Sequence, residues 1–136
     1  MVAAARRWLG VPFRHQGRSR LGVDCVGLVV RALEEAGLPV ADDTAYGRRP
    51  DWRRLIGTAR AQGFVAVARE DLRAGVIALF RGPDWAHLGI VSGPGRVVHA
   101  LGTATGGRVV EHRLDGQTWV PRLVAAWRHP GMAWEG

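Results

Sequence analysis

Apolar positions follow a helical rhythm in three stretches near the start of the chain and a strand rhythm over most of the remainder. Residues 2–9 read as a short helix, which Gly10 closes and Val11-Pro12 cannot extend. Val26, Val29, Val30 and Leu33 fall at i, i+3, i+4 and i+7, one apolar face of a helix about three turns long. Asp24 stands at its N-cap, and Gly37 followed by Pro39 forms a stop signal. Asp51 caps a third helix reaching about Gln62, with Trp52, Leu55, Ile56 and Ala59 on its apolar side. From Phe64 the pattern changes. Residues 64–68, 76–80, 86–92, 96–101, 108–113 and 120–127 are short runs rich in Val, Ile, Leu or aromatics, each bounded by Gly, Pro or Asp.

Helices first and strands second predict an α+β domain, its N-terminal helices packed on an antiparallel sheet of about five to six strands. The 136 residues suit a single domain with its own core, and no internal repeat or low-complexity segment divides it. The connections at 10–22, rich in glycine, and 38–50 read as loops, and 130–136 reads as a loose tail. Trp8, Trp52 and Trp127 sit in patterned segments and are expected in the core.

Charge adds little about partners. The chain carries a formal +7, and all 19 basic residues are arginine, with no lysine and no asparagine. The arginines are scattered rather than gathered into a block, which argues against direct nucleic-acid binding and suits an anionic polymer such as cell wall, or an acidic partner. No stretch approaches the ~18 apolar residues of a membrane span, so no insertion is expected. Residues 1–9 lack the apolar run of a signal peptide, so synthesis in the cytoplasm is expected.

The chemistry centres on Cys25, the single cysteine, which excludes an internal disulfide and a spaced zinc cluster. Its place in the first helical turn favours a thiolate, because unpaired N–H groups and the helix dipole point at it. The alternative is a small buried hydrophobe. Of five histidines, His112 and His129 lie among polar residues and read as surface, and His15 can line a cleft. His87 and His99 flank one hairpin. An odd loop centred on Gly93 or Pro94 puts both rings on one sheet face, whereas a two-residue Pro94-Gly95 turn puts them on opposite faces. Since Pro-Gly turns of types I and II splay strands, the odd loop is expected. Cys25 is then the candidate nucleophile, His87 its base and His99 the group that orients it. The backbone N–H of Cys25 would serve a developing oxyanion. A metal site from Cys25, His87 and His99 is the weaker use of the same residues.

With these residues in place, the chain resembles the NlpC/P60 family of cell-wall cysteine peptidases, and especially its phage-tail branch. The likeness runs through Trp8 to Gln16, through Gly22-Val23-Asp24-Cys25-Val26-Gly27-Leu28, through His87-Leu88-Gly89-Ile90-Val91, and through Val98-His99-Ala100. It implies a papain-like α+β fold, a Cys-His-His triad and no metal or other cofactor. It also implies hydrolysis of the γ-D-glutamyl–diamino acid bond of peptidoglycan stem peptides, with Asp24 holding the free amine and Phe13 and His15 on the substrate side. The branch implies carriage in a phage tail or tail-like particle such as a gene transfer agent, docked on a larger tail-tip or hub protein, with the scattered arginines and the Trp119–Trp134 end as candidate contact surfaces. A catalytically weak docking component is the alternative, and acyl or peptidyl transfer a third reading. Three positions depart from the family pattern: Val26 where serine is usual, Phe13 in place of tyrosine, and Gly75-Val76 in place of Gly-Asp.

Overall fold

The computed structural model describes residues 1–103, 106–114 and 116–132. Three helices precede a six-stranded antiparallel sheet: α1 (Val2–Arg6), α2 (Cys25–Glu35) and α3 (Trp52–Ala61). The strands β3 (Val65–Ala66), β4 (Ile77–Arg81), β5 (Ala86–Gly93), β6 (Arg96–Thr103), β7 (Gly106–Arg113) and β8 (Leu123–Arg128) lie in the order β3-β8-β4-β5-β6-β7. Inside the loop expected at 10–22, β1 (Arg18–Ser19) and β2 (Gly22–Val23) form a two-stranded hairpin too short to show a period in sequence. That loop is also stitched to β7, with Val109 N–H donating to Val11 and Phe13 N–H donating to Gly107, each at 2.9 Å.

The N-cap at Asp24 forms as expected, its carboxylate accepting from Gly27 N–H. Asp51 caps α3 in the same way through Arg53 N–H. Burial of α2, however, is not confined to one face. Leu28, Ala32 and Leu33 are fully enclosed, Cys25, Gly27, Val29 and Val30 are buried, and Glu34 and Glu35 meet solvent. The helix lies between the sheet on one side and α1 with the 10–22 loop on the other, so nearly its whole circumference finds a partner. By contrast, α3 buries only Ala59 fully.

Alternation along the strands separates two apolar layers. Ile77, Leu79, Leu88, Ile90, Val98, Ala100 and Val109 meet the helices. Val76, Ala78, Phe80, Val91, Leu123 and Ala126 form a second layer on the other face, covered by Val67, Leu72, Trp85, Leu114 and Trp119. Trp8 and Trp127 are core residues, while Trp52 is half-buried between the Arg53 and Arg81 guanidiniums. Residues 120–122 form a 3₁₀ turn instead of the start of the last strand, because Pro121 has no N–H for a ladder.

The β5–β6 hairpin corrects one expectation. Its turn is the two-residue Pro94-Gly95, flanked by the pair Gly93↔Arg96, with Gly95 at φ 65° as the second turn position requires. A β-bulge at Ser92 then adds one residue to β5, so the ladder continues as Val91↔Val97 and Ile90↔Val98. The odd residue sits in the strand rather than in the loop. Parity is restored, and His87 and His99 share a face after all.

Two histidines read as surface are not. His129 is 4% exposed, its Nε2 bonded to the Pro39 carbonyl and its Nδ1 accepting from Gly131 N–H. His112 is half-buried and faces His99. Residues 130–132 turn back on His129 through Met132 N–H, whereas the remainder of the expected tail, 133–136 with Trp134, lies outside the described residues. Trp127 and Trp119 of the expected contact surface point inward, the first into the core and the second onto the histidines. No helix among the described residues is long and apolar enough to cross a membrane.

Candidate active site

A cleft of about 360 Å³ opens where the start of α2 meets the start of β5. Cys25 and His87 both line it, together with Asp24, Phe13 and His15, so all the cleft residues expected from sequence converge there. Tyr46, Arg48, Trp85 and Trp119 also line it. The sequence reading missed Tyr46, since a lone tyrosine in a polar loop carries no spacing signal.

Cys25 is 7% exposed, and that burial reverses the expected thiolate. Desolvation pushes the thiol up to about 12, with the Asp24 charge acting in the same direction. The backbone N–H groups of Leu88, Val26 and Cys25 pull the other way without prevailing. At neutral pH the sulfur therefore carries its proton.

His87 is held down to about 4 and His99 to about 3, both chiefly by burial, so both rings are neutral. His87 Nε2 lies 2.7 Å from His99 Nδ1. His99, with no exposed surface, lies 2.7 Å through its Nε2 from Nε2 of His112. Trp119 caps the row, its ring centroid 5.7, 5.1 and 6.3 Å from those of His87, His99 and His112. The pair Phe80↔His87 and the 5.3 Å contact between the Phe80 and Trp119 rings place this row on the sheet face opposite the helices. His112 could have been found from sequence, because the hairpin argument applied to His99 extends across β6 and β7. The pairs His99↔Val110 and Val97↔His112 put the two rings diagonally on one face.

Asp24 anchors a second network beneath the cleft. Its Oδ1 accepts from Gly27 N–H at 2.8 Å and Arg18 Nη1 at 3.0 Å. Its Oδ2 accepts from Gln16 N–H at 2.8 Å and the Tyr46 hydroxyl at 2.5 Å. Four donors fill the acceptor positions of a carboxylate. Arg18 also binds Asp42 and the Tyr46 oxygen, and the Gln16 amide donates to the carbonyls of Thr44 and Tyr46. The loop 38–50 is thus tied to the start of α2. Among the described residues, no group of His, Cys, Asp and Glu side chains is arranged to hold a metal ion.

Known proteins resemble this chain in sequence and in fold. A probable endopeptidase of Corynebacterium glutamicum is 34% identical over 116 residues, which cover 85% of this chain and 47% of that protein. The murein DD-endopeptidase MepS/murein LD-carboxypeptidase of Escherichia coli is 31% identical over 123 residues, covering 89% and 57%. This chain therefore spans about half the length of these curated relatives. Among solved structures, an NlpC/P60 family protein from Bacillus cereus superposes with a TM-score of 0.69 at 22% identity, over 95% of this chain and 40% of that one. The NlpC/p60 domain of the peptidoglycan hydrolase SagA superposes at 0.64 with 20% identity, over 93% of both chains. The helix-start cysteine, the histidine strand that faces it and the sheet behind them fall within residues 10–128, which match the NlpC/P60 family model, and the chain belongs to that family.

Proposed function

We propose that this chain is a cysteine peptidase of peptidoglycan stem peptides, cutting the γ-D-glutamyl–diamino acid bond. The observation that carries the reading is the shared cleft of Cys25 and His87, with His87 Nε2 engaged by His99. Among the described residues, His87 Nδ1 has no hydrogen-bond partner and is the nitrogen left to act as base. It takes the Cys25 proton as the sulfur attacks the scissile carbonyl, and the N–H groups at the start of α2 stabilise the oxyanion. His87 then delivers the proton to the leaving amine, and water hydrolyses the thioester. The relatives' names, a murein endopeptidase and a peptidoglycan hydrolase, support the substrate class.

In this reading Phe13 and His15, which line the cleft, contact the substrate. A substrate amine reaches Asp24 only by replacing one of its four present donors, and the Tyr46 hydroxyl is the one that comes from a separate loop. The test is digestion of purified peptidoglycan with mass analysis of the fragments. Wild-type protein should release new stem-peptide ends, and Cys25→Ala and His87→Ala should release none while keeping the fold. Full activity in Cys25→Ala ends the hypothesis.

The setting completes the proposal: the chain works as a part of a phage tail or tail-like particle, such as a gene transfer agent, docked on a larger tail-tip or hub protein and opening the wall locally. The resemblance of the Asp24–Leu28 segment, with Val26 after the nucleophile, to the phage branch supports it. Purified particles should contain the chain, and its presence only as free protein in lysate rejects the setting without touching the chemistry. The buried, protonated thiol favours one second reading, a docking component with weak catalysis, which an absence of cleavage by wild-type protein would support.

A further inference from the structure

The row of histidines does not end where a triad would. His112 Nδ1 lies 2.6 Å from the carbonyl oxygen of Arg113, and a carbonyl can only accept. The proton must therefore sit on His112 Nδ1, which in a neutral ring leaves Nε2 bare. That bare nitrogen lies 2.7 Å from His99 Nε2, so His99 must be the donor and carry its proton on Nε2. His99 Nδ1 is then bare, and at 2.7 Å it accepts from His87 Nε2–H. One backbone carbonyl thus sets the tautomer of three rings in succession, and the last atom in the chain, His87 Nδ1, is left unprotonated.

We propose that His112 is a positioning residue for the peptidase reaction: held by the Arg113 carbonyl, it fixes His99 as an Nε2 donor and so keeps Nδ1 of His87 free to take the Cys25 proton. This deepens the cysteine-peptidase reading and rests on it for its kinetic consequence. The burial of His99 supports the relay, because a fully enclosed imidazole has no water with which to exchange partners. The Trp119 ring over all three rings closes that face as well.

The decisive measurement is long-range ¹H–¹⁵N correlation of the imidazole nitrogens in the uniformly labelled chain near pH 7.5, which reports each tautomer directly. The expected pattern is Nε2–H with bare Nδ1 for His87 and His99, and Nδ1–H for His112. The reversed pattern, with His87 Nδ1 protonated, overturns the proposal. His112→Phe removes the acceptor and should leave His99 in mixed tautomers. Its kcat should fall roughly tenfold at unchanged KM, well short of the ~10⁴ lost when a triad histidine is put directly in the wrong tautomer. His112→Gln, whose amide oxygen can accept from His99, should restore both. Wild-type tautomers and kcat in His112→Phe would also overturn the proposal. Should that variant fail to fold, the wild-type spectrum and His112→Gln still decide. If wild-type protein shows no Cys25-dependent cleavage, the peptidase reading fails, and the spectra judge the relay by themselves.

Discussion

At Cys25 two physical effects oppose each other. The helix start offers N–H groups that favour a negative sulfur, while enclosure between α2 and β5 removes the water that would solvate it. Enclosure wins, so in the proposed mechanism catalysis depends on a neutral imidazole rather than on a preformed ion pair. Alkylation of the native thiol by iodoacetamide should accordingly be slow at pH 7 and rise about tenfold per pH unit to at least pH 10, since only the thiolate reacts. A rate that levels off below pH 8 would show a preformed thiolate and contradict this account. As the proposed base His87 must be neutral, so kcat/KM should hold down to about pH 5 and fall as pH drops through about 4. His99→Ala should be less damaging than His87→Ala, because a group that orients a base is more replaceable than the base.

At the scale of elements, the site depends on how closely backbones approach. A Cβ on Gly27 would lie 2.3 Å from the Gly17 carbonyl oxygen, so only glycine lets the 10–22 loop lie flat on α2. Gly27→Ala should cost about 1–3 kcal/mol in a denaturant titration, because the clash is with backbone rather than with a flexible side chain. An unchanged midpoint would mean the loop moves aside freely. The Ser92 bulge matters for a different reason. Without the extra residue in β5, every position of β5 below it would shift by one against β6, and His87 and His99 would point to opposite faces.

For the molecule as a whole, the buried titratable groups set how its stability should vary with pH. An unfolded chain protonates His87 and His99 as pH falls below 6.5, whereas the folded chain keeps them neutral to about 4 and about 3. Between those limits the unfolded state binds more protons, so stability falls with falling pH. Glu111, held down to about 2 by Arg6, extends the loss below 4.5. On the alkaline side the folded chain keeps the Cys25 proton to about 12, while an unfolded cysteine releases it near 9.0, so stability falls again above pH 9. Thermal melts should therefore give the highest Tm between about pH 6.5 and 9, declining on both sides. A Tm that is flat from pH 4 to 10 would refute the burial of these groups.

What the sequence determined by itself was whatever local physics dictates. The caps at Asp24 and Asp51, the order of helices before strands and the α+β class all follow from side chains acting on their own backbone or on neighbours a few residues away. Tertiary structure decided the rest. The protonation of Cys25 depends on β5 closing over it, the packing around α2 on elements from both ends of the chain, and the bulge at Ser92 on the ladder partner it meets. His112 and His129 read as polar surface because their neighbours in sequence are polar. Their neighbours in space are His99 and Trp119 for the one and Phe64 and Pro39 for the other, and only the folded sheet brings those together.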